Sequence, residues 1–155
     1  MKNSIQKQQE FFATGETKSI TYRIRMLKTL RKAVIDYEQE IIKALYRDLK
    51  KSEFEAYTTE IGQCLTEITF VLKHLKKWMR PKRVGGSKLF PLSKGWIIPE
   101  PLGISLILSP WNYPFKLAIS PLIASLAAGN CVVMKPSEIS KNTESVIAKM
   151  IGENF

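Results

Sequence analysis

The sequence predicts an α/β chain in which a helical segment leads into a parallel βαβ unit. Apolar residues recur at helical spacing through the first half. Two short apolar runs, at 103–108 and 130–135, are typical of strands covered on both faces. A stretch rich in Leu, Ile and Ala at 115–128 separates these runs, so the two strands should be parallel and joined by a right-handed crossover helix.

Composition is that of a folded globular chain. Of 155 residues, 45% are apolar and 25% are charged, which excludes a disordered or collagen-like chain. Two cysteines, Cys64 and Cys131, are too few for a disulfide scaffold. The first residues, MKNSIQKQQE, contain no apolar core of a signal peptide. We therefore expect a reducing, cytoplasmic setting.

The first half of the chain should form long amphipathic helices. Apolar spacing from Ile20 to Leu49 predicts one helix that ends near residue 49. Ser52 followed by Glu55 is a capping-box signal for the next helix. An apolar stripe follows on that helix, and Pro81 forbids its continuation. The members of the stripe are Ile61, Leu65, Ile68, Leu72, Leu75 and Met79.

Charge divides the chain into regions. Residues 1–83 carry 18 Lys and Arg against 10 Asp and Glu, whereas residues 84–155 carry 6 against 4. We predict a helical segment at 1–83, an extended arm at 84–100 and the start of an α/β region at 101–155. Within the arm, extended pieces are expected around 88–90 and 95–98, because the prolines near them suit edge strands or an arm more than a central strand.

A basic cluster at 73–83, KHLKKWMRPKR, opens an alternative interpretation. Its cations would attract the phosphates of nucleic acid or of an acidic membrane, and Trp78 could stack on a base. The competing interpretation is a solvated helix end, where cations complement the helix dipole. No recognised nucleic-acid module surrounds the cluster, so we predict no nucleic-acid partner.

The sequence argues against a membrane span and against a histidine-based site. The uncharged run 117–134 approaches the length of a membrane span, but Pro121 and Gly129-Asn130 interrupt it. A buried helix followed by a buried strand explains the run better. His74 is the only histidine, so a His-rich metal site and a His-based catalytic triad lack their parts.

The second half places polar residues where a ligand would bind. The run 103–108 is followed by the turn SPWNYP at 109–114, and the run 130–135 by the turn KPSE at 135–138. Gly129 should end the crossover helix, and a further helix is expected at 140–151, with Ser140 as its cap and Gly152 after it. Ligands of open parallel sheets bind beyond the carboxyl ends of the strands.

These two turns supply the candidate site residues Asn112, Lys135, Ser137 and Glu138. Lys135 can donate to sugar hydroxyls and Glu138 can accept from them. The alternative is that these two side chains pair with each other or with solvent. The chain contains no GxGxxG, so the usual dinucleotide fingerprint is missing.

The stretch EPLGISLILSPWNYPFKLAISPLIASLAAGNCVVMKPSE (100–138) resembles the start of the cofactor domain of NAD(P)-dependent aldehyde dehydrogenases. The PWNYP turn, the AAGN helix end and the KPSE turn carry the resemblance, in matching order and spacing. It points to the class-three-like branch, which includes fatty-aldehyde enzymes. The implied fold is the N-terminal portion of the family, with an incomplete Rossmann-like cofactor domain.

The resemblance implies oxidation of an aldehyde to a carboxylic acid through a cysteine thiohemiacetal and a thioester, with NAD or NADP as cofactor. Asn112 matches the asparagine that helps to form the oxyanion hole, and Lys135 and Glu138 match positions that contact the adenosine ribose. The remaining cofactor-binding candidates are Ser109, Pro110, Trp111 and Ser137. The implied partners are a small-molecule aldehyde and a second copy of the chain in a homodimer.

Neither cysteine fits the family's nucleophile. Cys131 lies in a strand beside Val132, without a helix N-terminus, Lys or His that would stabilise a thiolate, and Cys64 lies on a long helix. Family members are much longer, so we expect this chain to be their N-terminal portion, inactive alone. The alternative is a truncated, non-catalytic remnant that acts only as an interaction module.

Overall fold

The computed structural model of the chain describes residues 2–86, 89 and 93–155. This part contains helices α1 to α7 and short strands β1 to β4. In chain order they are α1 Lys2–Ala13, α2 Ile20–Asp36, α3 Glu38–Leu49, α4 Glu53–Ala56, α5 Gly62–Trp78, β1 Lys82–Val84, β2 Gly95–Ile97, β3 Ile104–Leu108, α6 Lys116–Ala128, β4 Cys131–Lys135 and α7 Lys141–Asn154. A 3₁₀ turn at Glu16–Lys18 and a π-helical turn at Tyr57–Ile61 complete the order.

The helix expected from Ile20 to residue 49 is two helices, so that prediction is wrong. α2 ends at Asp36 and α3 begins at Glu38, with Tyr37 between them at φ −96° and ψ 4°. Tyr37 and Ile41 both remain buried across the break. The apolar residues keep their helical spacing through the break at Tyr37, so the spacing alone could not predict that the helix ends there.

The signals around α4 and α5 are confirmed. The Ser52 hydroxyl accepts a hydrogen bond from the Glu55 amide at 3.2 Å, and α5 ends before Pro81. The predicted stripe faces the core, although unevenly. Its buried members are Ile61, Ile68 and Leu75, while Leu65, Leu72 and Met79 are partly buried against the core.

A small antiparallel pair joins the start of the arm to the residues just before it, because β1 begins at Lys82 and β2 lies within 84–100. β1 and β2 pair with Lys82 opposite Ile97 and Val84 opposite Gly95. β2 lies within the extended piece expected around 95–98. The piece expected around 88–90 falls largely outside the described residues.

The βαβ unit is confirmed. β3 and β4 are parallel, with Ile104 opposite Cys131 and Leu108 opposite Lys135. Gly129 ends α6 at φ 85°, a conformation that glycine adopts without steric cost. The expected end of α7 is wrong, because Gly152 lies inside the helix and the Phe155 amide still donates to the Ile151 carbonyl at 3.0 Å.

The helical segment and the βαβ unit share one hydrophobic core. α2 and α5 pack on α6, and α3 packs on α7. Fully buried residues come from both parts, including Leu27, Ile41, Ile68, Ile119 and Ile147. The run 117–134 folds as helix and strand, as expected, and no helix among residues 2–86 and 93–155 is long and apolar enough to cross a membrane.

Candidate functional site

The two polar turns lie side by side at the carboxyl edge of the parallel pair. The last paired residues of β3 and β4 are Leu108 and Lys135. The Ser109 amide donates to the Lys135 carbonyl at 3.3 Å, and the Ser140 hydroxyl donates to the Trp111 carbonyl at 3.2 Å. The register thus brings SPWNYP and KPSE together, as the sequence predicted.

Lys135 and Glu138 form an exposed ion pair. Lys135 Nζ lies 2.5 Å from Glu138 Oε2, and the side chains are 62% and 73% exposed. The hydrogen bond from Lys135 lowers the pKa of Glu138 below its ordinary value. Lys135 and Glu138 therefore do pair with each other, which was the alternative to sugar binding. Both side chains nevertheless still face solvent. Ser137 is buried, and its hydroxyl accepts from the Ile139 amide at 3.3 Å.

The first turn presents polar groups that have no partner within the described residues. The Ser109 hydroxyl is buried and has no hydrogen bond there. Asn112 is exposed, and its side-chain amide makes no hydrogen bond to the described part of the chain. Trp111, which stands between Pro110 and Asn112, is half exposed. The turn therefore offers the exposed Asn112 amide to a ligand, while the Ser109 hydroxyl is buried without a partner among the described residues.

Sequence reasoning missed Lys51 and Glu60, which lie beneath this turn. Glu60 is fully buried and accepts hydrogen bonds from the backbone amides of Phe115 and Lys116, at 2.9 and 3.1 Å. A signal was available, since Glu60 lies four residues before the buried Cys64. An acidic residue in phase with a buried helical face needs a partner inside the protein.

The cap predicted for α7 is confirmed in its position but not in its hydrogen bond. Ser140 occupies the N-cap position, but its side chain makes no capping bond. Asp48 of α3 takes that role, because its two oxygens accept from the backbone and side chains of Asn142 and Thr143 at 2.7 to 3.2 Å. Burial raises the pKa of Asp48, but these hydrogen bonds outweigh burial and leave the pKa below its ordinary value.

Both cysteines are buried and poorly suited to form a thiolate. Burial, reinforced by Glu67 and Glu60, raises the pKa of Cys64 to about 12. Burial also raises the pKa of Cys131. Since the thiolate is the nucleophilic form, neither thiol is activated. Among residues 2–86 and 93–155, no group of three or more His, Cys, Asp or Glu side chains could hold a metal.

We expect both thiols to resist alkylation in the folded chain at neutral pH. A rise in the pKa of Cys64 from 9.0 to about 12 lowers its thiolate population about a thousandfold, and burial restricts access further. Iodoacetamide labelling followed by mass spectrometry measures the rates. The same chain in guanidinium should label at both positions, and fast labelling of either cysteine in buffer would contradict the expectation.

The basic cluster lies at the exposed end of α5 and in β1. Within the described part of the chain, no ion pair involves any of its six cations: Lys73, Lys76, Lys77, Arg80, Lys82 and Arg83. Trp78 is 44% exposed and stacks on His74, with ring centroids 5.7 Å apart. This arrangement fits a solvated helix end, and the absence of a nucleic-acid partner stays a prediction.

The fold and the two turns define the class of the protein as an α/β protein that contains the start of a Rossmann-like cofactor domain. Residues 1–154 match the model of the Aldehyde dehydrogenase family. The chain therefore belongs to the aldehyde dehydrogenase family, as its PWNYP and KPSE turns predicted.

Relatives support the assignment along almost the whole chain. The 4,4'-diaponeurosporen-aldehyde dehydrogenase of Staphylococcus aureus is 47% identical over 94% of this chain and 32% of its own length. Aldehyde dehydrogenase family 3 member B1 of Bos taurus is 44% identical over 96% of this chain and 32% of its own. A substrate-bound structure of Staphylococcus aureus AldH superposes with a TM-score of 0.93 and 44% identity, over 96% of this chain and 32% of that one. This chain thus spans about a third of these relatives.

Proposed function

We propose that this chain is the N-terminal part of an NAD(P)-dependent aldehyde dehydrogenase that oxidises an aldehyde to a carboxylic acid. The observation that carries the proposal is the meeting of SPWNYP and KPSE at the carboxyl edge of β3 and β4, where the Ser109 amide lies 3.3 Å from the Lys135 carbonyl. In parallel sheets this edge is where cofactors bind. Family membership supplies the reaction class.

The polar groups of the edge fit an adenosine ribose. Exposed Lys135 and Glu138 offer a cation and a carboxylate to sugar hydroxyls. Binding would exchange the ion pair between Lys135 and Glu138 for contacts to the ribose. NAD or NADP, when bound, supplies a hydride acceptor. The residues of this chain bind and orient its adenosine end.

The role proposed for Asn112 is to donate its amide to the oxygen that becomes negative as a cysteine thiolate attacks the aldehyde. Its amide is exposed and makes no hydrogen bond to the described residues, so it is free to do so. Loss of a hydride to NAD or NADP would convert the thiohemiacetal to a thioester, and water would then release the acid and the free thiol. Because Cys64 and Cys131 are buried and poorly ionised, we propose that the nucleophile lies elsewhere in a longer protein.

Homodimer formation through the arm is part of the proposal. Trp96 and Ile97 in β2 and Ile98 directly after it are each more than half exposed. A row of exposed apolar side chains is typical of an interface. The second candidate function, a non-catalytic interaction module, rests on the same row.

Expression of the complete reading frame that contains this chain tests the proposal. With a panel of long-chain and aromatic aldehydes, we expect NADH or NADPH to accumulate, and gel filtration should give a dimer. The 155-residue chain alone should give no aldehyde-dependent signal. A full-length protein that dimerises without oxidising any aldehyde would favour the interaction module. Oxidation by the isolated chain would refute our assignment of the nucleophile.

A further inference from the structure

A buried ion pair lies directly beneath the SPWNYP turn. Lys51 Nζ lies 2.5 Å from Glu60 Oε1, and the two side chains are 7% and 0% exposed. The second oxygen of Glu60 accepts from the amides of Phe115 and Lys116. Lys51 Nζ also lies 3.9 Å from the ring centroid of Tyr113. Both charges therefore contact the chain on the C-terminal side of Asn112.

Glu60 supplies a cap that α6 lacks in its own sequence. Phe115 occupies the N-cap position and makes no side-chain capping bond, and Pro114 before it has no amide hydrogen. The first free amides of α6 point at the carboxylate of Glu60, which satisfies them and also complements the helix dipole. The start of the helix, and with it the end of the turn, is thereby tied to the helical segment.

Stability alone does not explain a buried ion pair at this place. Removing two charges from water costs about as much as their attraction returns, and apolar pairs of similar volume are often equally stabilising. What an ion pair adds is direction, because each of its hydrogen bonds fixes the partner atom in space. Here those partners are the backbone at 115–116 and the ring of Tyr113.

We propose that Lys51 and Glu60 are positioning residues that fix the turn so that the Asn112 amide is presented at the carboxyl edge of β3. This inference rests on the proposed function of Asn112 as an oxyanion donor. Asn112 itself makes no hydrogen bond to the described residues, so its orientation depends on how its neighbours are held. An oxyanion donor acts only when it is fixed before the reaction, and a displacement of 1 Å can cost about a hundredfold in rate.

Three variants of the full-length protein test the inference: Lys51→Met, Glu60→Gln, and the two combined. Each single change leaves one buried charge unpaired, whereas the double change removes both charges at similar volume. We expect kcat to fall about 10- to 100-fold in all three, with the KM for NAD(P) unchanged within about twofold. The cofactor KM should not move, because Lys135 and Glu138 contact neither residue of the pair within the described structure.

The double variant separates positioning from stability. We expect it to recover the melting temperature that the single changes lower, yet to keep the low kcat. Recovery of both quantities would show that the pair only stabilises the fold, and would overturn the proposal. The matched control is Lys149→Met with Glu40→Gln, an ion pair at 3.1 Å that joins α7 to α3 with both side chains half exposed. Its removal should leave kcat unchanged.

A readout without catalysis keeps this inference distinct from the proposed function. Hydrogen exchange of the Phe115 and Lys116 amides, and the NMR signal of the Asn112 side-chain amide, report on the turn directly. We expect the Glu60→Gln change to speed exchange about tenfold or more at 115–116 and to shift the Asn112 signal, even in a protein that oxidises no aldehyde. Unchanged exchange and an unmoved Asn112 signal would overturn the positioning role whatever the activity.

Discussion

Replacing Asn112 by alanine in the full-length protein should lower kcat about 10²- to 10³-fold, the usual cost of removing one oxyanion donor. The change should leave the KM for NAD(P) nearly unaltered, because the proposed ribose contacts are Lys135 and Glu138. It should also leave the melting temperature nearly unaltered, since the Asn112 side chain is exposed and makes no hydrogen bond to the described residues. Steady-state kinetics by NAD(P)H absorbance and a thermal melt measure both effects.

A matched asparagine sharpens this test. Asn154 also carries a side-chain amide, which donates to the Met150 carbonyl at 2.8 Å in the last turn of α7, away from both polar turns. Asn154→Ala should keep kcat within about twofold, because this partly buried side chain bonds only within its own helix, outside the candidate site. If Asn112→Ala kept a similar rate, the oxyanion role would be wrong, whereas equal losses in both variants would indicate a general effect on folding.

The fold was predictable where short-range chemistry determines it. Ser52 caps the helix that follows it, Pro81 prevents continuation of α5, and Gly129 adopts the positive φ that ends α6. These signals act within a few residues. The bend at Tyr37 was not predictable in this way, because the apolar face runs through it unchanged and only the packing of α3 against α7 reveals it.

In the candidate site, too, the short-range features were predictable and the long-range contacts were not. The parallel pairing of β3 with β4 brings Ser109 next to Lys135. This neighbourhood was predictable, because two parallel strands end at the same edge of a sheet. The groups that hold the turns come from distant sequence. Glu60 lies 55 residues before Phe115, and Asp48 lies 95 residues before Thr143. Pairings over such separations depend on the tertiary packing of α2, α3 and α5 against α6 and α7, which no local pattern encodes.

Asp48→Ala should be among the most destabilising substitutions outside the apolar core. It removes a helix cap, which typically costs about 1 kcal/mol, and leaves the fully buried Thr143 without its acceptor, which costs about 1–3 kcal/mol more. A loss of about 3 kcal/mol in the free energy of unfolding corresponds to a fall of about 6–12 °C in melting temperature for a chain of this size. Urea unfolding and thermal melts of the chain measure it.

The pH dependence of that loss identifies the carboxylate as its cause. The pKa of Asp48 is lower in the folded chain than in the unfolded one, so its charge stabilises the fold fully above the unfolded pKa of about 4. This contribution disappears as the pH falls through the lower pKa of the folded chain. The difference in the free energy of unfolding between the wild type and Asp48→Ala should therefore be constant from about pH 5 to 8 and become smaller below about pH 4. Asp36→Ala, which removes an exposed partner of Lys32, is the control and should change stability by about 0.5 kcal/mol or less. A difference between wild type and Asp48→Ala that stays flat down to pH 2 would show that packing, and not the ionised cap, holds α7 against α3.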